Sequence, residues 1–305
     1  MDAVQISHVT RTFGSVTAVD DLSLAVPEGS IYGFIGPNGS GKTTTMRMIV
    51  NIFYPDSGEI RLFGDGRPGD STDLIGYLPE ERGLYQKMTV QALLEFYGEL
   101  RSGRSVKAEV ANWLARLDLA SRAAAKVETL SKGMTQKVQF IATVIPEPKL
   151  LVLDEPFSGL DPVSAEAIRA AILDLRRHGV TVILSTHDMH LAETMCDYIF
   201  MIFRGRKVLD GTLASIQDQY GDDTIRVTAL GGAAAVQHLP GVEQIRDLGQ
   251  VQELRLTRGA DPQEVLRALV AQASVTSFSL MKPSLHDIFM RIAGPAAAEV
   301  THANA

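Results

Sequence analysis

Apolar and polar positions alternate over "VQISHVTRTFG" and again over "LSLAVPEGSIYGFIG", the pattern of strands feeding a glycine-rich loop, "GPNGSGKT", at residues 36–43. Residues 43–52 switch to helical spacing, and Pro55 stops the helix. From residue 88 to 146 the texture is helical. Thr89 is placed to cap a helix carrying Leu93, Phe96, Tyr97 and Leu100, and Val110, Trp113, Leu114 and Leu117 recur at i, i+3, i+4, i+7 on a second. A helical insertion over about residues 84–146 is predicted, with Trp113 in its core.

Past Pro146 and Pro148 the run "LLVL" has the unbroken apolar character of a strand buried on both faces of a parallel sheet. Asp161-Pro162 opens a helix as cap and first-turn proline, and His178-Gly179 closes it before the strand "VTVILS". Strand, helix and strand repeat here as in an α/β sheet. Beyond Gly211 the half-exposed alternation of "TIRVTAL", "VQELRLT" and "VTSFSL", with a helix "DPQEVLRALVAQ" capped by Asp261, predicts a small α+β domain. The expected division is 1–216 for the first domain and 217–294 for the second, with an alanine-rich, disordered tail over 295–305.

Charge and cysteine content narrow the class. The 36 acidic and 29 basic residues give a formal net charge of -7, which argues against a protein that coats nucleic acid. The one cysteine, Cys196, permits no intramolecular disulfide and fits a reducing cytoplasm. Neither a basic start nor an apolar run marks "MDAVQISHVT" as a secretion signal, and the apolar run "YIFMIF" is far short of the ~20 residues that span a bilayer. If the protein works at a membrane, another chain is expected to do the spanning.

Residues 36–43 fit Gly-x4-Gly-Lys-Thr. Glycines let backbone N–H groups curl round phosphates, and the following helix points its positive end at them. Gly36, Pro37, Asn38, Gly39, Ser40, Gly41, Lys42, Thr43 and Thr44 are the expected ATP cradle. In it Lys42 reaches the β and γ phosphates and the Thr43 hydroxyl sits on Mg²⁺. A glycine turn with a solvated lysine is the competing reading, disfavoured by the strand before and the helix after. Asp154 and Glu155 emerge at the carboxyl end of "LLVL", where ligands bind in open α/β sheets. Adjacent carboxylates there point in different directions, so Asp154 is assigned to Mg²⁺ and Glu155 to the general base. "LSKGM", residues 130–134, is a second helix start suited to a phosphate, although alone it reads as a plain capped helix.

In the order phosphate loop, "IGYLPEE", "LSKGM", "LLVLDEP", "SGLD" and "STHD", residues 1 to about 215 resemble the ATP-binding subunit of an ABC transporter. The resemblance implies a phosphate-loop ATPase domain with a helical insertion, followed here by the small α+β domain. It implies Mg²⁺-dependent ATP hydrolysis at two sites shared across a head-to-tail dimer, either a homodimer or a pairing with a related ATPase subunit. In such a dimer Ser131, Lys132, Gly133 and Met134 of one chain, with Asp161 of the crossing loop, cap the nucleotide held by the other. It further implies Phe13 under the adenine, with core packing as the rival role, and His187 as the residue that orients water beside Glu155. A His187 and His190 metal pair is the weaker alternative.

Two departures stand out. Glu80 occupies the place where the family's glutamine touches the metal, and Lys132 and Met134 replace a glycine and a glutamine of the signature. With "EERGLY" and "PSLHDIF" these resemble an export branch that includes sodium-efflux and drug-resistance ATPases. Its members pair with separate permeases, which puts the protein on the inner face of the cell membrane. The loop from Glu80 to Met88, with Leu84, Tyr85 and Met88 expected to be exposed, is where such a permease would dock. Alternatives are a soluble ABC-type ATPase acting in translation or repair, and a P-loop kinase, which leaves "LSKGM" and "SGLD" unexplained.

Overall fold

The structure, a computed structural model, describes residues 1–303 apart from 65, 82 and 222, with side chains as far as Gly294. Two compact units divide the chain, Met1–Thr212 and Leu213–Ala305.

The first unit runs β1 (Asp2–Phe13), β2 (Val16–Pro27), β3 (Ile31–Ile35), α1 (Lys42–Ile49), β4 (Ser57–Leu62), β5 (Ile75–Leu78), α2 (Val90–Ser102), α3 (Lys107–Arg116), α4 (Lys132–Val144), β6 (Leu150–Leu153), α5 (Pro162–Arg177), β7 (Thr181–Thr186), α6 (Met189–Met195), β8 (Tyr198–Phe203) and β9 (Arg206–Gly211). A six-stranded sheet has the order β5-β6-β7-β3-β8-β9, parallel except for the β8–β9 hairpin. Every residue of β3, β6 and β7 is buried, as strands covered on both faces of a parallel sheet are. An antiparallel sheet, β2-β1-β4, closes one flank. Its buried Val4, Ile6 and Leu24 share a core with Tyr32, Phe34 and Met46.

The expected helical insertion is α2 to α4. Thr89 Oγ1 accepts the Ala92 N–H at 3.3 Å, the cap anticipated for α2. The face that α2 buries is Val90, Leu93, Leu94 and Gly98, whereas Phe96 and Leu100 face solvent. Gly98 explains the difference: a Cβ there would sit 2.5 Å from both Ile145 Cγ2 and Val106 Cγ2, so the helix closes along its glycine. Trp113 is half-buried against the same core, edge-on to Phe140 at 6.0 Å.

The second unit begins four residues before the expected boundary. It runs α7 (Leu213–Tyr220), β10 (Thr224–Ala229), β11 (Val242–Asp247), β12 (Gln252–Leu256), α8 (Pro262–Gln272), β13 (Val275–Met281) and α9 (Leu285–Ala303). The antiparallel sheet β11-β12-β10-β13 has ferredoxin-like order, with a 3₁₀ turn at Gly232–Val236 where a first helix would stand. One face packs Ile225, Val227 and Leu254 against Val265 and Leu269 of α8. The early boundary follows from α7, which packs with α9 and buries Ile216, one apolar anchor too few to mark a helix in sequence. The expected disordered tail, 295–305, falls on residues outside those described or on the last turns of α9, whose side chains are not described.

Candidate functional site

Gly36 directly follows β3 at φ 153°, and a Cβ on it would collide with the Ile202 carbonyl of β8. Gly41, the N-cap of α1, has φ 113°, and a Cβ there would lie 2.5 Å from the Ala18 carbonyl. Only glycine reconciles these backbone angles with the close neighbours, so the loop turns tightly enough for α1 to start directly beneath it. Lys42, buried at the first position of α1, folds back into the loop, where its Nζ donates to the carbonyls of Gly36 (2.6 Å) and Pro37 (3.1 Å). Burial lowers its pKa, while the negative charges of Glu155, Asp154 and Glu80 oppose the shift.

These carboxylates share the loop's cavity, about 330 Å³, whose lining includes Asn38, Gly39, Ser40, Gly41, Lys42, Thr43 and Thr44 together with Glu80, Asp154 and Glu155. The sequence-assigned cradle and both expected sources of carboxylate are therefore one place. Gly36 and Pro37 reach it through the carbonyls that hold Lys42. Phe13 does not line it. That ring is 40% exposed, which rules out the core role, and lies edge-on to Phe53 at 5.3 Å with the Arg11 guanidinium 4.7 Å above it.

Asp154 is fully buried at the end of β6, and its Oδ1 accepts from Ser185 Oγ at 2.6 Å. The same hydroxyl oxygen accepts the Glu155 N–H at 2.9 Å. Glu155 has φ 48°, a left-handed backbone that costs a non-glycine residue about 1 kcal/mol. That turn sends its side chain away from Asp154 and toward His187, whose Nδ1 lies 3.0 Å from both carboxylate oxygens. Ser185, at the end of β7, therefore fixes both carboxylates at once. The motif "STHD" gives Ser185 no role in sequence; its signal is a hydroxyl directly after the apolar run of residues 182–184 in a fully buried strand. His187 and His190 do not converge on a shared metal: His190 Nδ1 is 3.9 Å from Glu193 instead.

Asp154 Oδ2 and Ser40 Oγ are both buried without a hydrogen-bond partner. An orphaned carboxylate oxygen beside the phosphate loop is suited to a hard cation. Among the described residues no three His, Cys, Asp or Glu side chains gather as a metal centre, so a cation here would have at most Asp154 and Glu80 as carboxylate ligands and would draw the rest from hydroxyls and from the nucleotide itself.

The signature residues are elsewhere. Ser131 caps α4, its Oγ accepting the Met134 N–H at 3.3 Å, and is exposed. Ser131, Lys132, Gly133 and Met134 are all absent from the lining of the phosphate-loop cavity. Gly133 faces Asp161 and Ser164 of the same chain: a Cβ on it would be 3.3 Å from Asp161 Oδ2. Asp161 caps α5, and the Ser164 hydroxyl and amide hold its carboxyl below the usual range. Within one chain, then, the structure brings together the phosphate loop, Glu80, Asp154, Glu155 and His187, and apart from that cavity Ser131, Gly133 and Met134 with Asp161, while Lys132 borders an adjoining cavity that it shares with Glu80 and Glu155.

Leu84 and Met88 are half-buried against the helical core, contrary to the exposure expected of them, while Tyr85 is exposed and rests on Phe96 and Tyr97. Beside them a groove of about 570 Å³ is lined by Arg47, Tyr77, Glu81, Leu84, Tyr97 and Arg101, among others.

Comparison with known proteins extends the geometry. Residues 19–158 match the model of the ABC transporter family, and residues 211–293 that of the C-terminal domain of DrrA1-3-like ATP-binding proteins. The chain is 38% identical to the ABC transporter ATP-binding protein YhaQ of Bacillus subtilis over 95% of its own length and 98% of the relative's. It is 33% identical to the Nod factor export ATP-binding protein I of Rhizobium sp. (96% and 97% of the two chains), and 30% identical to the linearmycin resistance ATP-binding protein LnrL of Bacillus subtilis (95% and 98%). A solved ATP-binding subunit of an ABC transporter superposes with a TM-score of 0.67 at 29% identity, covering 72% of this chain and 93% of that one.

Proposed function

The chain belongs to the ATP-binding subunits of ABC transporters, and on that footing we propose that two copies sandwich ATP between them and drive a separate membrane permease. It is an ATP-binding ATPase subunit; the proposal concerns how the site is completed and what it powers. The observation that carries it is the separation within one chain. Residues that hold and hydrolyse a nucleotide line one cavity, and an exposed helix start of complementary chemistry, capped by Ser131, does not reach that cavity. A head-to-tail pair would bring each helix start to the other's phosphate loop, so that nucleotide joins the subunits and hydrolysis releases them.

In this reading Lys42 neutralises the phosphates, Glu155 accepts a proton from the attacking water, and His187 orients that carboxylate. Thr43, Asp154 and Glu80 would hold Mg²⁺, which supplies charge neutralisation at the phosphates when bound. Phe13, exposed, stacks on the adenine. The groove beside Tyr85 suits a short helix of the permease, with its exposed aromatic ring and its two arginines. No helix among the described residues is long and apolar enough to cross a membrane, so the spanning is assigned to that partner and the subunit to the inner face of the membrane. The names of the Nod factor and linearmycin relatives support export as the direction.

The test is the dependence of ATPase rate on protein concentration. Shared sites predict a rate per chain that rises steeply with concentration until dimers saturate. A rate per chain constant over a thousandfold dilution would overturn the sandwich. Gentle solubilisation of membranes holding the Glu155→Gln protein with ATP should bring the permease with it.

A further inference from the structure

Helix α4 is tied at its first two turns to the turn that follows Glu155 in the same chain. Gln136, 3% exposed, donates from Nε2 to the Pro156 carbonyl at 3.3 Å. The Lys132 side chain lies across Gly159 so closely that a Cβ there, already disfavoured at φ 67°, would collide with its ammonium. Between these two anchors is a cavity of about 390 Å³ lined by Glu80, Glu81, Lys132, Gln136, Glu155 and Ser158. Lys132 is the one cation among its three carboxylates.

The position of Glu155 makes this link consequential. Its left-handed backbone is held from one side by Ser185, through the Glu155 N–H, and from the other by the peptide after Pro156, whose carbonyl Gln136 holds. Moving α4 pulls on that second support and carries the Lys132 charge toward or away from Glu155 and Glu80. A small shift of a packed helix is transmitted because its neighbours are packed solidly.

We propose that Gln136 is a positioning residue for Glu155 of its own chain, with Lys132 as the counter-ion that moves with it. The inference deepens the shared-site reading, because the carboxylate it positions is the one that would hydrolyse the shared nucleotide, but the bond between Gln136 and the Glu155 turn is independent of that reading.

Two measurements test it. Gln136→Met keeps the side chain's length and removes its donor. It should lower kcat about tenfold while leaving the KM for ATP unchanged, and the thermal midpoint should fall by no more than the loss of one buried hydrogen bond costs. Lys132→Arg, which keeps the charge, should retain most of the rate, and Lys132→Gln should lose it in a salt-insensitive way. A kcat within twofold of the parent for Gln136→Met, or a rise in KM as large as the fall in kcat, overturns the positioning role.

The second measurement locates the effect in mixed dimers with one live site. Ser131→Arg chains mixed with Glu155→Gln chains leave a single intact Glu155, on the Ser131→Arg chain. Adding Gln136→Met to that chain should slow the live site, and adding it to the Glu155→Gln chain should not. The reverse pattern overturns the link to the chain's own carboxylate. If the parent mixture shows no activity, the shared site fails, while the kcat of homogeneous Gln136→Met still decides the positioning role.

Discussion

His187 Nδ1 stands 3.0 Å from each carboxylate oxygen of Glu155. An ionised carboxylate only accepts, so the ring donates from Nδ1 and leaves Nε2, on a largely exposed side chain, free to face a water or a phosphate. This gives the two residues separable roles. Glu155→Gln should keep ATP affinity and lose turnover by about 10²- to 10⁴-fold, the contribution of a positioned general base. His187→Ala should lose less, because the carboxylate remains, and its loss should appear in kcat rather than KM. Steady-state kinetics with equilibrium ATP binding separates the two; parental turnover by the Glu155→Gln protein would remove Glu155 from the base role.

Ser185 holds Asp154 and Glu155 through one oxygen. Ser185→Ala deletes a buried donor to Asp154 and a buried acceptor for the Glu155 amide, each costing about 1–3 kcal/mol when left unpaired. The variant should be measurably less stable and turn over at least tenfold more slowly, with ATP affinity lowered only where Mg²⁺ is present. Denaturation and binding with and without the metal check this.

Lys42 is held by two loop carbonyls and its positive charge is opposed by burial. A phosphate offers that ammonium stronger, charged partners in place of carbonyls. Lys42→Ala should weaken ATP binding by roughly 10- to 100-fold with little change in thermal stability, read by isothermal titration.

Cys196 packs beneath β3, where a Cβ on Gly33 would lie 2.6 Å from its Sγ, and burial followed by the Asp197 charge pushes the thiol up to about 12. A raised folded-state value means the protonated thiol is the favoured form. Its contribution to stability is therefore complete below the unfolded thiol's ordinary value near ~8.5 and declines as pH climbs from there toward the folded one. At pH 8 the native protein should react with iodoacetamide far more slowly than the urea-unfolded chain, and faster labelling of the native form would contradict the packing.

Much of the nucleotide cavity is legible in sequence because its pieces are local: a loop whose angles demand Gly36 and Gly41, and carboxylates at the tip of a wholly apolar strand. The caps also announce themselves, as Thr89, Ser131, Asp161 and Asp261 each accept an amide of their helix. What escapes is whatever depends on tertiary company. Ser185 acquires meaning only where β7 lies beside β6, and Gln136 only where α4 meets the Pro156 turn. Strand β11 is missed because five of its six residues are exposed, which removes the alternation. Leu84 and Met88 lie in a loop, where no periodicity reports which side chains turn inward.

Complementation between two inactive subunits tests the central claim most directly. Ser131→Arg blocks the helix start that a chain offers its partner, and Glu155→Gln disables the site a chain holds itself, so each homogeneous protein should be nearly inactive. Shared sites predict that mixing equal amounts restores about a quarter of the parental rate, since half the dimers are mixed and each of these has one intact site. A mixture as inactive as its two components would mean that each chain completes its own site, contradicting the account.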